Sequence, residues 1–112
     1  MNWQPLTSQG QLADLVTLSA QQPCLIFKHS TSCSISALAK TRLERHWKLA
    51  NTQVVTYYLD LLAQRELSSR IASQFGVRHE SPQVLLIRDG RCVYDASHLS
   101  ISVEAIEEAL DC

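Results

Sequence analysis

The chain has 112 residues, enough for one hydrophobic core and too few for two, so a single domain over 1–112 is expected. Apolar residues make up 46% of it and charged residues 19%, which excludes a disordered chain. The formal net charge is −1 with no Lys/Arg cluster, which argues against a nucleic-acid partner. No apolar run is long enough to span a bilayer and "MNWQPLTSQGQ" lacks the regions of a signal peptide, so the expectation is a cytoplasmic protein with no membrane partner.

Taken in chain order, Ser8 and Gln11 carry the spacing of a capping box, and Leu12, Leu15, Val16 and Ser19 repeat at helical intervals, predicting a helix over about residues 9–20. Whether "NWQPL" before it adds an edge strand is left open by so few residues. "PCLIFKH" is short, apolar and β-rich and predicts a buried strand. Ile35, Leu38, Ala39, Leu43 and Trp47 then return every three or four residues, predicting a helix that starts at Cys33.

"QVVTYYLDL" reads as the next strand, and Leu67, Ile71, Ala72 and Phe75 stripe a helix that Gly76 can end in a left-handed cap. In "VRHESPQVLLIRDGRCVYDASH" the Asp89-Gly90 pair between two β-like runs predicts a tight antiparallel hairpin. "SVEAIEEAL" predicts a last helix capped by Ser102, with Glu104 in its first turn. The strand, helix, strand unit implies a right-handed parallel crossover, and the hairpin adds antiparallel strands, giving an α/β fold: a mixed central β-sheet flanked by helices.

The chemistry centres on Cys33, at a strand-to-helix junction. A thiol attacks disulfides as thiolate, which the positive end of a helix favours. Ser34 and Ser36 keep the first turn polar. Lys28 and His29 lie close by, but strand alternation sends them to opposite faces, so at most one points at the sulfur. Pro82 before an apolar strand reads either as an ordinary strand start or as a cis Ser81–Pro82 peptide whose backbone would face the cysteine. His29, His79 and His98 are expected on the cysteine's side, where imidazoles can tune the thiol, bind the carboxylates of a small-thiol co-substrate or coordinate zinc; electrostatic tuning by His29 and His79 is favoured over a metal site, with His46 exposed on the second helix. Thr31 and Ser32 can cap the helix or hydrogen-bond a bound thiol, capping being the expectation for Ser32.

The segments "HSTSCSIS" and "ALA", then "FGVRHESPQ", the "DG" hairpin and "ASHLSIS", closely resemble the monothiol bacilliredoxin family, a thioredoxin-like branch, over essentially the whole chain. The resemblance implies a thioredoxin-like fold, a cis Pro82 and removal of bacillithiol from mixed disulfides on oxidised proteins. Cys33 would attack, Thr31, Ser32, Ser34, Ser36, Ser81 and Pro82 would meet the substrate, and an external thiol or partner redoxin would regenerate the sulfur. The implied partners are bacillithiolated client proteins; no bound cofactor is implied, bacillithiol entering as co-substrate. The family typically has proline after the cysteine where this chain has Ser34, a departure that leaves the nucleophile intact and bears on the helix start and the thiol pKa.

One thiol completes such an exchange. An internal resolver would have to come within about 4.4–6.8 Å between Cα atoms. Cys24 is expected roughly 20 Å or more away along its strand, and Cys92 and Cys112 are expected to be distal as well. Two other classes are weighed: an iron–sulfur carrier like certain monothiol glutaredoxins, against which stands the absent glycine after the cysteine, and a non-catalytic module holding a partner strand beside Pro82.

Overall fold

The structure is a computed structural model and describes residues 1–111; Cys112, and the expectation that it lies away from Cys33, fall outside them. The strands are β1 (Gln4–Pro5), β2 (Cys24–His29), β3 (Val55–Asp60), β4 (Gln83–Arg88) and β5 (Arg91–Ser97). The helices are α1 (Gln9–Leu18), α2 (Ser34–His46), α3 (Arg65–Phe75) and α4 (Val103–Leu110), with a 3₁₀ turn at His98–Ser100. The sheet runs β1-β3-β2-β4-β5, with β1 and β2 parallel to β3 and β4 antiparallel to both β2 and β5. The mixed sheet and parallel crossover are those expected, and "NWQPL" does supply an edge strand.

Period-two alternation along β2 divides the core between the two faces of the sheet. Cys24 and Ile26 pack with Leu12, Leu15, Leu67 and Ile71 of α1 and α3. Leu25 and Phe27 pack with Ala39, Leu43, Val103 and Ile106 of α2 and α4. β2 lies at the centre, every one of its residues buried, which is why "CLIFKH" carries no polar alternation at its start.

The ends of the elements follow local chemistry. Ser8 accepts from the Gln11 N–H, while the Gln11 side chain takes the Thr7 N–H instead of closing the box on Ser8. α1 stops at Leu18 rather than at residue 20 because Ser19 has other work: its carbonyl accepts the Asp89 N–H and its hydroxyl the Gly90 N–H, tying the hairpin tip to the helix. Asp89 and Gly90 both have positive φ (53° and 73°), the geometry of a type I′ turn. Gly76 caps α3 at φ 66°, and Ser102 Oγ accepts the Ala105 N–H at the start of α4, both as the residue types predict.

The inward face of α2 departs from the expected stripe. Ser36, Ala39 and Leu43 are buried, whereas Ile35 and Leu38 are 44% and 49% exposed. A serine takes the innermost position of the first turn because the neighbouring loop needs its hydroxyl.

Candidate active site

β2 delivers its chain end at His29, a loop covers 30–33, and α2 begins at Ser34 with Cys33 in extended geometry at the N-cap (φ −110°, ψ 121°). The loop is closed on itself: the Cys33 N–H donates to the Ser30 carbonyl (3.2 Å), and the Cys33 carbonyl accepts the Ala37 N–H as the first bond of the helix. The Cys33 side chain makes no capping hydrogen bond, and the residue is partly exposed. Ser32 does not cap the helix, contrary to expectation. Its hydroxyl lies 3.1 Å from Ser30 Oγ, and Cys33 occupies the cap position itself.

Ser36 stands three residues after Cys33, where a two-cysteine redox site would carry its second thiol. It is fully buried (0% exposed). The Ser30 N–H donates to Ser36 Oγ (3.0 Å), and the same oxygen is hydrogen-bonded to His29 Nδ1 (2.6 Å). Burial, then the Lys40 ammonium, hold the His29 pKa below its ordinary value against the opposing pull of Asp60, a Ser36 backbone hydrogen bond and Glu44. Phe27 and Tyr58 pack on the imidazole at 5.5 and 5.4 Å between ring centres. Ser36 thus serves the loop from inside and does not offer its hydroxyl at a surface that substrate reaches, which corrects its expected substrate-binding place.

Across the sheet edge, the Ser81–Pro82 peptide is cis. Pro82 is buried, and its carbonyl accepts the His98 N–H (2.9 Å), joining the start of β4 to the 3₁₀ turn after β5. Ser81 is half-buried, and its Oγ is enclosed without a hydrogen-bond partner. Thr31, Ser32 and Ser34 are exposed around Cys33.

The histidines divide. His29 points to the α2 side and reaches the loop through Ser36. His79 lies toward the α3 side, its Nδ1 3.3 Å from Lys28 Nζ and 3.2 Å from Ser68 Oγ. His98 Nε2 is 3.4 Å from a Glu80 carboxylate oxygen, and His46 is exposed at the last position of α2. Lys28, which sequence proximity marks as a charge near the sulfur, is instead fully buried (0% exposed) against Ser68 and His79; a lysine inside an otherwise apolar central-strand run is the signal of that burial.

The other described cysteines lie toward the far end of the sheet. Cys24 opens β2, pairs with Ile87, and Ile87 in turn pairs with Cys92, so the two sulfurs are carried by strands separated by β4. Burial pushes the Cys24 thiol up to about 11, and burial followed by Asp95 raises Cys92. Thiols so held are protonated near neutrality and unreactive.

Residues 4–106 match the family model described as Monothiol bacilliredoxin BrxC. A solved structure described as a candidate oxidoreductase with a thioredoxin fold is 30% identical, covers 94% of this chain and 90% of its own, and has a TM-score of 0.80. The thioredoxin of Malassezia sympodialis is 18% identical over 98% of this chain and 89% of its own, with a TM-score of 0.74. That of Trypanosoma brucei brucei is 13% identical over 98% and 88%, with a TM-score of 0.76. At these identities the two thioredoxins speak for the fold, which is the thioredoxin fold. Among the described residues no helix is long and apolar enough to cross a membrane.

Proposed function

The chain belongs to the monothiol bacilliredoxin family, a group of thioredoxin-fold thiol–disulfide oxidoreductases, and from that premise we propose that Cys33 removes bacillithiol from mixed disulfides on oxidised client proteins. The carrying observation is the division of labour across Cys33-x-x-Ser36: Cys33 is partly exposed and its side chain free of capping duty, while the residue in the resolver's place is buried and committed as a hydroxyl.

In the proposed exchange the Cys33 thiolate attacks the bacillithiol sulfur in line. The client–bacillithiol S–S bond breaks, a Cys33–bacillithiol S–S bond forms, and the client sulfur leaves as thiolate and takes a proton from water. Ser36 cannot attack the adduct, and among the described residues the other cysteines, Cys24 and Cys92, sit on strands at the other end of the sheet; in this reading a thiol from outside, a second bacillithiol or a partner redoxin, displaces the bound one and returns Cys33 to thiolate. Ser81, Pro82, Thr31, Ser32 and Ser34 form the surface against which the client disulfide lies, and the exposed Ile35 and Leu38 extend it with apolar area.

Intact-mass analysis after exposure to bacillithiol disulfide should show one adduct, mapped to Cys33. A bacillithiolated client should be released by the wild type and not by Cys33→Ala. Release that survives Cys33→Ala would defeat the reading.

A further inference from the structure

Lys28 is a buried cation with no negative partner among the described residues. Its ammonium, fully enclosed on the α3 side of β2, reaches the Ser68 carbonyl at 3.3 Å and His79 Nδ1 at 3.3 Å, two groups that carry no charge, and it makes no ion pair among the described residues. Enclosing an ammonium without a counter-ion is costly, and burial alone brings its pKa down from 10.5 to about 8, which leaves it charged at neutrality. Because a charged Lys28 can only donate, His79 Nδ1 accepts, and the imidazole proton lies on Nε2 at the outer edge of an exposed ring.

That outer edge borders an open depression of about 320 Å³ lined by Leu61, Leu62, Arg65, Ser68, Ser69 and His79. Arg65 begins α3, is exposed and makes no ion pair among the described residues, and the helix has no side-chain cap. Two acids stand near it: Asp60 Oδ1 accepts the Leu62 N–H, and Glu80 faces Arg78 and His98 while its charge also acts on His79. The depression adjoins the ends of β2 and β3, where the Leu61 N–H donates to the carbonyl of His29, the residue that leads into the Cys33 loop.

We propose that this depression is an anion subsite in which Arg65 and the His79 Nε2–H, backed by Lys28, hold a carboxylate of the low-molecular-weight thiol that Cys33 carries. The guanidinium fork binds a carboxylate in two parallel hydrogen bonds, the imidazole adds a third, and the buried ammonium gains the negative charge it lacks. This rests on the proposed exchange chemistry only for the identity of the thiol. The site itself is read from Lys28, Arg65, Ser68, Ser69 and His79.

The test separates the two. S-methylated bacillithiol carries the carboxylates and cannot exchange, so its binding is independent of Cys33 chemistry. Titrated into the ¹⁵N-labelled wild-type protein, it should move the amide signals of Ser68, Ser69 and His79, with about tenfold weaker binding in Arg65→Gln and in His79→Gln. In turnover with bacillithiol disulfide, the same variants should raise KM by about that factor and leave kcat unchanged, while the rate with uncharged hydroxyethyl disulfide stays at the wild-type value. No shift at these amides, or an equal loss with both disulfides, overturns the subsite. A defect in Arg65→Gln that follows the acidity of the client rather than the small thiol it carries also overturns it, assigning the pocket to protein recognition. Failure of the wild type to discharge a bacillithiolated client, with the amide shifts intact, would sink the exchange reading and leave the subsite standing.

Discussion

Lys28 and His29 are neighbours in the sequence and face opposite sides of one sheet, and the two sides treat a buried polar group in opposite ways. On the α2 side, one buried hydroxyl, Ser36 Oγ, accepts the Ser30 N–H and is hydrogen-bonded to His29 Nδ1, and the product is a fixed loop under Cys33. On the α3 side, Lys28, Ser68 and His79 form an open cluster: among the described residues the charge has no counter-charge, and the imidazole borders a depression. A satisfied network specifies geometry, whereas an incompletely satisfied one stores an affinity for something not yet there. The first kind suits the attacking sulfur, which must be placed; the second suits a ligand, which must be attracted.

The largest expected effect tests the closed side. Ser36→Ala removes one oxygen and leaves two buried groups, the Ser30 N–H and His29 Nδ1, without partners, at about 1–3 kcal/mol for each unmade bond. Urea unfolding should show a loss of about 2–4 kcal/mol. Cys33 exchange should slow, and hydrogen exchange at the Ser30 amide should quicken. On the open side, Ser68→Ala removes a hydroxyl that shares His79 Nδ1 with Lys28, so the ring keeps an inner partner and the loss should stay below about 1 kcal/mol with Cys33 reactivity unchanged. Equal effects of the two variants would erase the distinction drawn between the faces.

Next in size, and opposite in sign, is Lys28→Met. The enclosed lysine has its pKa lowered from 10.5 to about 8, a shift worth about 3 kcal/mol against the folded state at pH 7. A group with a lowered folded pKa contributes its full stability above the unfolded value, here near 10.5, and loses it as pH falls through about 8. Methionine keeps the packing and removes the charge, while leaving the Ser68 carbonyl and His79 Nδ1 one donor short, so the net gain at pH 7 should be about 1–2 kcal/mol. The gain should shrink as pH rises from about 8 toward 10.5, where wild-type lysine is neutral as well. A variant less stable than wild type at pH 7 would mean that the ammonium already has the compensation attributed to a ligand.

The same pair of residues shows what could be read without coordinates. The order of elements, the Asp89-Gly90 turn, the Gly76 cap and the cis Ser81–Pro82 peptide follow from local residue chemistry or from the family resemblance, and the structure has them all. Alternation also placed Lys28 and His29 on opposite faces. The contents of each face were another matter. Ser36 looked like a polar first-turn residue awaiting substrate, because helical periodicity marks apolar residues as inward and cannot see a serine drawn inside by a loop amide 6 residues earlier. For the same reason Ile35 and Leu38 were assigned inward although they are exposed. Strand-end proximity places His79 near Cys33, whereas in the structure its Nδ1 lies against Lys28, 51 residues away in sequence, and Ser68.

The smallest effect is the most specific to the closed network. His29 has its pKa lowered by burial and then by Lys40, so its contribution to stability is complete above the unfolded value of about 6.5 and is lost as pH falls through the lower folded value. The protonated ring carries a hydrogen on both nitrogens, so Ser36 Oγ must accept from both His29 and the Ser30 N–H and its own proton has no place in the pair. The cost falls on the loop that ends at Cys33, so the melting temperature and the loop's hydrogen-exchange protection should drop together below about pH 6.5. His29→Asn supplies an amide oxygen that accepts the Ser36 proton but does not titrate, and it should flatten this acid limb while keeping protection near neutrality. His79→Gln is the control from the opposite face. His79 too has a lowered pKa, first from burial and then from Lys28, but its ring is exposed and has no bond to the loop, so the variant should trim the stability slope slightly and leave the protection of Ser30 and Cys33 unchanged. If His79→Gln protects the loop from acid as well as His29→Asn does, the two faces are coupled through β2 and cannot be treated as separate devices.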